Sequence, residues 1–266
     1  MGTTWLFNVL KELVAAGGIE AAIVADGAPA PDPKWRGSLI IKSHRADPVG
    51  LVTTFDSQLS LSACVMVRDA IPTFHSLIRT QVVERRELLD WLEADLSSYE
   101  ALLPHMSHVA VIPEGWIRDQ AVDVITQLSE FLGLDIAAER IGEIAHSFSR
   151  ENVRELVQQM DSDSRWSGDF RNFDKESQWH AGHIGPDENC ELELSKVEEA
   201  RLGAIQVRVD QLVEDFSLRA TTRAPKLPAS GSSAMDYLRA RRESEFVGES
   251  FVDWLARGFR YVRPGR

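Results

Sequence analysis

Apolar positions along the chain follow two rhythms that alternate. Short unbroken apolar runs, Leu39-Ile40-Ile41, Cys64-Val65-Met66-Val67 and Val109-Ala110-Val111-Ile112, have the length and composition of buried strands. Between and around them, apolar residues recur at helical spacing. Trp5, Leu6, Val9, Leu10 and Leu13 predict a helix over 4–16, and further helices are expected over about 70–82, 84–103, 118–132 and 195–216. Residues 137–160 are also expected to be helical, with a break at Ser147 to Ser149, and Gly133 stands where a helix C-cap belongs. Strands alternating with helices predict an α/β domain with a central parallel sheet flanked by helices, spanning residues 1–218. The stretch 219–235, rich in Pro, Ser and Gly, reads as a linker. Residues 236–266 then read as a helical tail with a basic end at Arg257, Arg260, Arg263 and Arg266.

Composition narrows the function classes. With 266 residues and 44% hydrophobic content, the chain can bury a sizeable core. A net charge of -12 opposes general nucleic-acid binding, which needs basic surface to displace counterions, so any anionic ligand must be held by local groups. The two cysteines, Cys64 and Cys190, are too few for a disulfide framework. No apolar stretch approaches a membrane span, and no charged region precedes an apolar core at the start, so the expected address is the cytoplasm without integral membrane association. No internal repeat is evident.

Three places carry candidate chemistry. The first is Gly2-Thr3-Thr4 at the start of the first predicted helix. A Walker loop would carry lysine where Thr3 stands, which disfavours an ordinary ATPase or GTPase. What remains is a helix N-terminus with free N–H groups and two hydroxyls, suited to a phosphate or sulfate without metal; the same threonines also suit a plain helix cap. The second is "SLIIKSHRAD", a strand that ends by delivering Lys42 and His44. Ligands of open α/β sheets sit beyond the carboxyl ends of the strands, where a lysine can stabilise developing charge and a histidine can accept a proton. A surface lysine and a solvated histidine are the plainer alternative. The third is "CVMVRDAIPTFHSLIRT", with Arg68 at a strand end and Ser76 eight residues on. Together they suit a second anion, or else a strand-end arginine and an ordinary helical serine.

Taken in order, these segments resemble the cytosolic-type sulfotransferases that use 3′-phosphoadenosine-5′-phosphosulfate (PAPS). Gly2-Thr3-Thr4-Trp5-Leu6 is similar to that family's loop, Lys42-Ser43-His44 to its strand end, and Val65-Met66-Val67-Arg68-Asp69 with Ser76 to its third motif. The resemblance spans roughly 2–135, with a weaker trace to about 200. It implies a three-layer, P-loop NTPase-like α/β fold and transfer of a sulfuryl group from PAPS to a hydroxyl of a small molecule or lipid, with no metal required. It further implies that Thr3, Thr4 and the backbone of Gly2 to Trp5 hold the 5′-phosphosulfate, and that Arg68 and Ser76 hold the 3′-phosphate. His44 would be the general base, and Lys42 would steady the sulfuryl group.

The departures are equally specific. In "WHAGHIGPDENC", Gly182 and Gly185 keep the spacing of a late nucleotide-binding loop, but His180 and Ala181 stand where Arg and Lys would be. Pro186-Asp187-Glu188 replaces an aromatic and basic pair, and Pro113-Glu114-Gly115 replaces Tyr-Glu-Asp. A non-catalytic relative that binds a nucleotide or a partner is the alternative these changes favour. His180 and His183 have too few companions for a zinc site. The acceptor is not readable, since Trp35, Phe55, Phe74, Trp91 and Trp166 suit a pocket or, as aromatics more often do, the core, and the oligomeric state is not readable either. Finally, a sheet of this kind places a strand ahead of the phosphate loop, and the resemblance puts Pro-Lys at its end. The expectation is that about 10–20 further residues of apolar strand are encoded upstream of Met1, whose α-amino group would otherwise replace the lysine only imperfectly.

Overall fold

The computed structural model describes residues 2–24, 38–42, 62–80, 84–106, 108–160, 177, 179 and 193–218. The expected linker, tail and late glycine loop lie outside these. The described chain is mostly helical with a small parallel sheet component. In order it forms α1 (Gly2–Ala16), β1 (Ala21–Val24), β2 (Ser38–Ile41), β3 (Ser62–Val67), α2 (Ala70–Thr80) and α3 (Arg85–Leu102). A 3-10 turn (Leu103–His105), β4 (His108–Pro113), α4 (Glu114–Phe131), α5 (Ala138–Ser147), α6 (Arg150–Met160) and α7 (Lys196–Phe216) follow.

The described strands form two parallel pairs, where the sequence pattern had suggested one sheet. β1 pairs with β2, Ala21 opposite Ser38 through Val24 opposite Ile41. β3 pairs with β4, Ser62 opposite His108 through Val67 opposite Pro113. A parallel bridge also joins Val111 to Ser217 just past α7. Alternation along β4 explains how helices cover both faces of its pair. Val109 and Val111 enter one core with Val65, Phe74, Leu88, Leu89, Leu202 and Ile205, which belongs to α2, α3 and α7. Ala110 and Ile112 enter another with Trp5, Val9, Leu13, Val124, Ile125, Leu128 and Ile144, which belongs to α1, α4 and α5. A third, smaller cluster of Phe7, Val14 and Ile40 fastens α1 to β2. The first helix therefore touches both strand pairs.

Helix ends follow local chemistry. α1 closes in a Schellman motif, with Gly18 at φ 68° and N–H groups of Gly18 and Ile19 donating to Ala15 and Val14 carbonyls at 3.0 Å each. The expected cap at Gly133, also φ 68°, repeats it: Gly133 donates to Glu130 and Leu134 to Ser129. The break between α5 and α6 falls at Phe148 and Ser149, and Ser149 Oγ accepts from Asn152 N to start α6. α7 begins with a capping box, Ser195 and Glu198 exchanging bonds. α4 starts at Glu114, four residues before the expected 118, and bends where Gln120 leaves helical geometry (φ −142°, ψ 37°). The glycine at position 115 masks that start, because glycine opposes helix in any propensity count.

α3 and α7 run parallel and are laced by arginines. Arg201 pairs with Asp90 at 2.7 Å and Glu93 at 2.8 Å, and seven residues on Arg208 Nε donates to Glu100 at 2.8 Å. The hydrogen bond from Arg201 holds the Glu93 carboxyl below the usual carboxylate range. A carboxyl depressed in the folded state contributes stability that is present above the unfolded pKa of about 4.3 and lost as pH falls through the folded value. Arg201→Ala is therefore expected to melt below the wild type at pH 7, with the gap closing as pH falls below about 4. Thermal melts across that range check it; a gap that does not change with pH would assign the Arg201 effect to packing.

Candidate functional site

The start of α1 is fixed from three sides. The Trp5 indole is buried, 3% exposed, and its Nε1 donates to the Phe148 carbonyl at 3.1 Å. Asn8, also buried, donates through Nδ2 to the carbonyls of Thr4 at 2.9 Å and Ser177 at 2.7 Å. Thr4 is buried, and its Oγ1 accepts from Lys42 Nζ at 3.1 Å. Since α1 begins at Gly2, the N–H groups of Gly2, Thr3 and Thr4 are among those that helix geometry leaves without intrahelical acceptors. Thr3 and Thr4 thus sit within the first turn, with Thr3 half-buried.

Lys42 follows β2 directly and is itself buried, 9% exposed, with Nζ 5.8 Å from the centre of the Phe7 ring. A lysine this far from water is held by the threonine hydroxyl and the aromatic face together. Its ammonium lies against the positive end of α1, so two sources of positive potential converge on one spot. Both would attract an anion placed between them. His44 lies outside the described residues, as do Gly182, Gly185, His180 and His183.

The second expected anion site is built on β3 and α2. Arg68 follows β3 and Ser76 is half-buried on α2. Arg68 Nε pairs with Glu114 Oε2 at 2.8 Å. The pairing follows from register: Val67 lies opposite Pro113, so the next residues of two parallel neighbours are brought side by side. Sequence reading noted Glu114 only as part of a divergent turn. The signal that finds it is two predicted parallel strands ending in opposite charges, and that signal needs the register. Between β3 and α2, Asp69 Oδ1 is within 3.5 Å of Gln206 Nε2, while Gln206 Oε1 accepts from the Ala70 amide at 2.8 Å.

Other candidates resolve into core or surface. Phe74 is fully buried in the core and Trp91 is 43% exposed on α3; Trp35, Phe55 and Trp166 lie outside the described residues. Burial pushes the Cys64 thiol up to about 12, which keeps it from serving as a thiolate at neutral pH. Among the described residues no group of three His, Cys, Asp or Glu could hold a metal ion, and no helix is long and apolar enough to cross a membrane.

An α/β chain with a lysine and a helix N-terminus converging beyond one strand, and an arginine beyond another, is the class that fold and site define. Among solved structures the chain is similar to a mouse sulfotransferase, SULT7A1 complexed with PAP, at 15% identity and a TM-score of 0.41. The match covers 57% of this chain and 61% of that one, so it spans about three-fifths of the sulfotransferase's length. No protein-family model and no curated protein matches the chain.

Proposed function

We propose that this protein is a sulfotransferase that moves a sulfuryl group from PAPS to a hydroxyl of a small molecule or lipid. The observation that carries the reading is the 3.1 Å contact between Lys42 Nζ and Thr4 Oγ1, which joins the two motifs that would face the phosphosulfate. In this reading Thr3, Thr4, Lys42 and the first amides of α1 hold the 5′-phosphosulfate, while Arg68 and Ser76 hold the 3′-phosphate. Gly182 and Gly185 would let a loop backbone approach the nucleotide. His44 takes the acceptor proton as the acceptor oxygen bonds to sulfur and the bond from sulfur to the 5′-phosphate oxygen breaks, leaving adenosine 3′,5′-bisphosphate. Catalysis in such a transfer is mostly positioning and charge stabilisation, as in phosphoryl transfer. Lys42 supplies charge where the transferred group is negative.

The test is incubation with PAPS and a panel of phenols and alcohols, with chromatography of the nucleotide product. Release of the bisphosphate that depends on an added acceptor is the expected result. The second reading, a nucleotide-binding relative without catalysis, is favoured by the ion pair that already engages Arg68 and by the loss of basic residues at 180–188. It predicts bisphosphate binding without turnover. A chain that neither binds the bisphosphate nor turns over PAPS is neither.

A further inference from the structure

The carboxylate that neutralises Arg68 is the feature that the proposed function does not use. We infer that Glu114 is an internal competitor for the nucleotide's 3′-phosphate: it holds the Arg68 guanidinium and must be displaced when the phosphate binds. This rests on the sulfotransferase reading above and adds to it a residue that sets nucleotide affinity and selectivity.

The geometry favours competition over a fixed structural pair. The Arg68 side chain is 40% exposed and that of Glu114 is 23% exposed, so a dissolved anion can reach the guanidinium without unpacking the core. A guanidinium has five donors, and a phosphate takes them in a fork that a single carboxylate contact through Nε does not exhaust. The exchange is therefore between two charge-assisted partners of similar strength. Other positive potential nearby is already engaged. The first amide of α2, at Ala70, donates to Gln206 Oε1, so the N-terminus of that helix is partly satisfied from α7. The remaining carboxylate, Asp69, has Gln206 Nε2 as a neighbour at 3.5 Å. Among the described residues Arg68 is thus the principal charge offered to a phosphate at this end of β3, and Glu114 reduces its effect twice. It occupies the guanidinium, and it repels a dianion placed beside it. The same subtraction does not reach a nucleotide that lacks the 3′ group, so the pair also narrows the margin by which a bisphosphate is preferred over a monophosphate.

Calorimetric titration of adenosine 3′,5′-bisphosphate and adenosine 5′-phosphate into the whole chain tests this with five proteins: wild type, Glu114→Gln, Glu114→Ala, Arg68→Ala and the Arg68→Ala/Glu114→Gln double variant. Glu114→Ala serves as a second neutralising change, and thermal melts verify that each variant is folded. Glu114→Gln and Glu114→Ala are expected to tighten the bisphosphate by about fivefold, the scale of a partly exposed ion pair, and to leave the monophosphate within about twofold. Arg68→Ala is expected to weaken the bisphosphate selectively and to abolish the gain from neutralising Glu114. Unchanged or weaker bisphosphate binding in both Glu114 variants overturns the inference and makes Glu114 a positioning partner of Arg68. Equal tightening of both nucleotides, or a gain that survives in the double variant, overturns it as well. If neither nucleotide binds any of the proteins, it is the sulfotransferase reading that fails, and the competitor role fails with it.

Discussion

Replacing His44 by alanine is expected to lower acceptor-dependent PAPS turnover by about 10²–10⁴-fold while bisphosphate affinity stays within about twofold. The asymmetry follows from the roles. In the proposed reaction a general base would act on the acceptor proton in the transition state, whereas nucleotide binding would draw on Lys42, Arg68 and the first turn of α1. Lys42, two residues before His44, carries this expectation, because its Nζ sits on Thr4 and so places the end of β2 at the helix start where the sulfuryl group would lie. Assays of kcat and of bisphosphate affinity in parallel check both statements. Turnover equal to wild type in His44→Ala removes the histidine from the mechanism, and a parallel loss of affinity makes it a binding residue instead.

Trp5→Ala is the second large effect, and it concerns stability. Removing a fully packed tryptophan costs about 3–5 kcal/mol, against a total of about 5–15 kcal/mol for a domain. At 3% exposure the indole sits in the core of α1, β4, α4 and α5, and its loss also leaves the Phe148 carbonyl without the 3.1 Å bond that joins α1 to the α5–α6 corner. Trp5→Phe keeps most of the volume and should lose nearer 1 kcal/mol, the usual net worth of one hydrogen bond. Urea unfolding of the three proteins separates packing from hydrogen bonding. A shift below 1 kcal/mol for Trp5→Ala would mean that the corner relaxes around the cavity.

What could be read from the sequence divides along a physical line. β2, β3 and β4 were legible because each is a continuous run of β-branched and apolar residues, and the caps at Gly133 and the break at 147–149 were legible because they are local. β1 was missed: Ala21-Ala22-Ile23-Val24 is short and half alanine, and only its pairing with β2 makes it a strand. Trp5 belongs in the sequence both to the apolar face of the first helix and, through its backbone, to the anion loop, and nothing local says that its indole donates to Phe148, 143 residues away. The Arg68–Glu114 pair is invisible for the same reason, since it exists only once the register of two strands is set. Lys42 lies on Thr4, a contact that joins a strand end and a helix start, both of which are legible in the sequence while their meeting is not.

The way α1 straddles the two strand pairs has a dynamic consequence. The β3–β4 pair is covered on both faces by large clusters, whereas the described contacts of β1–β2 with the rest of the chain run mainly through Phe7, Val14 and Ile40. Two four-residue strands have almost no stability of their own, and among the described residues the first helix is their main support. If that pair opens locally, Lys42 would travel with it, while Arg68 stays with the strand pair that is covered on both faces. The candidate site thus spans two strand pairs, and an anionic ligand long enough to touch both Lys42 and Arg68 would act as a clasp that links one pair to the other.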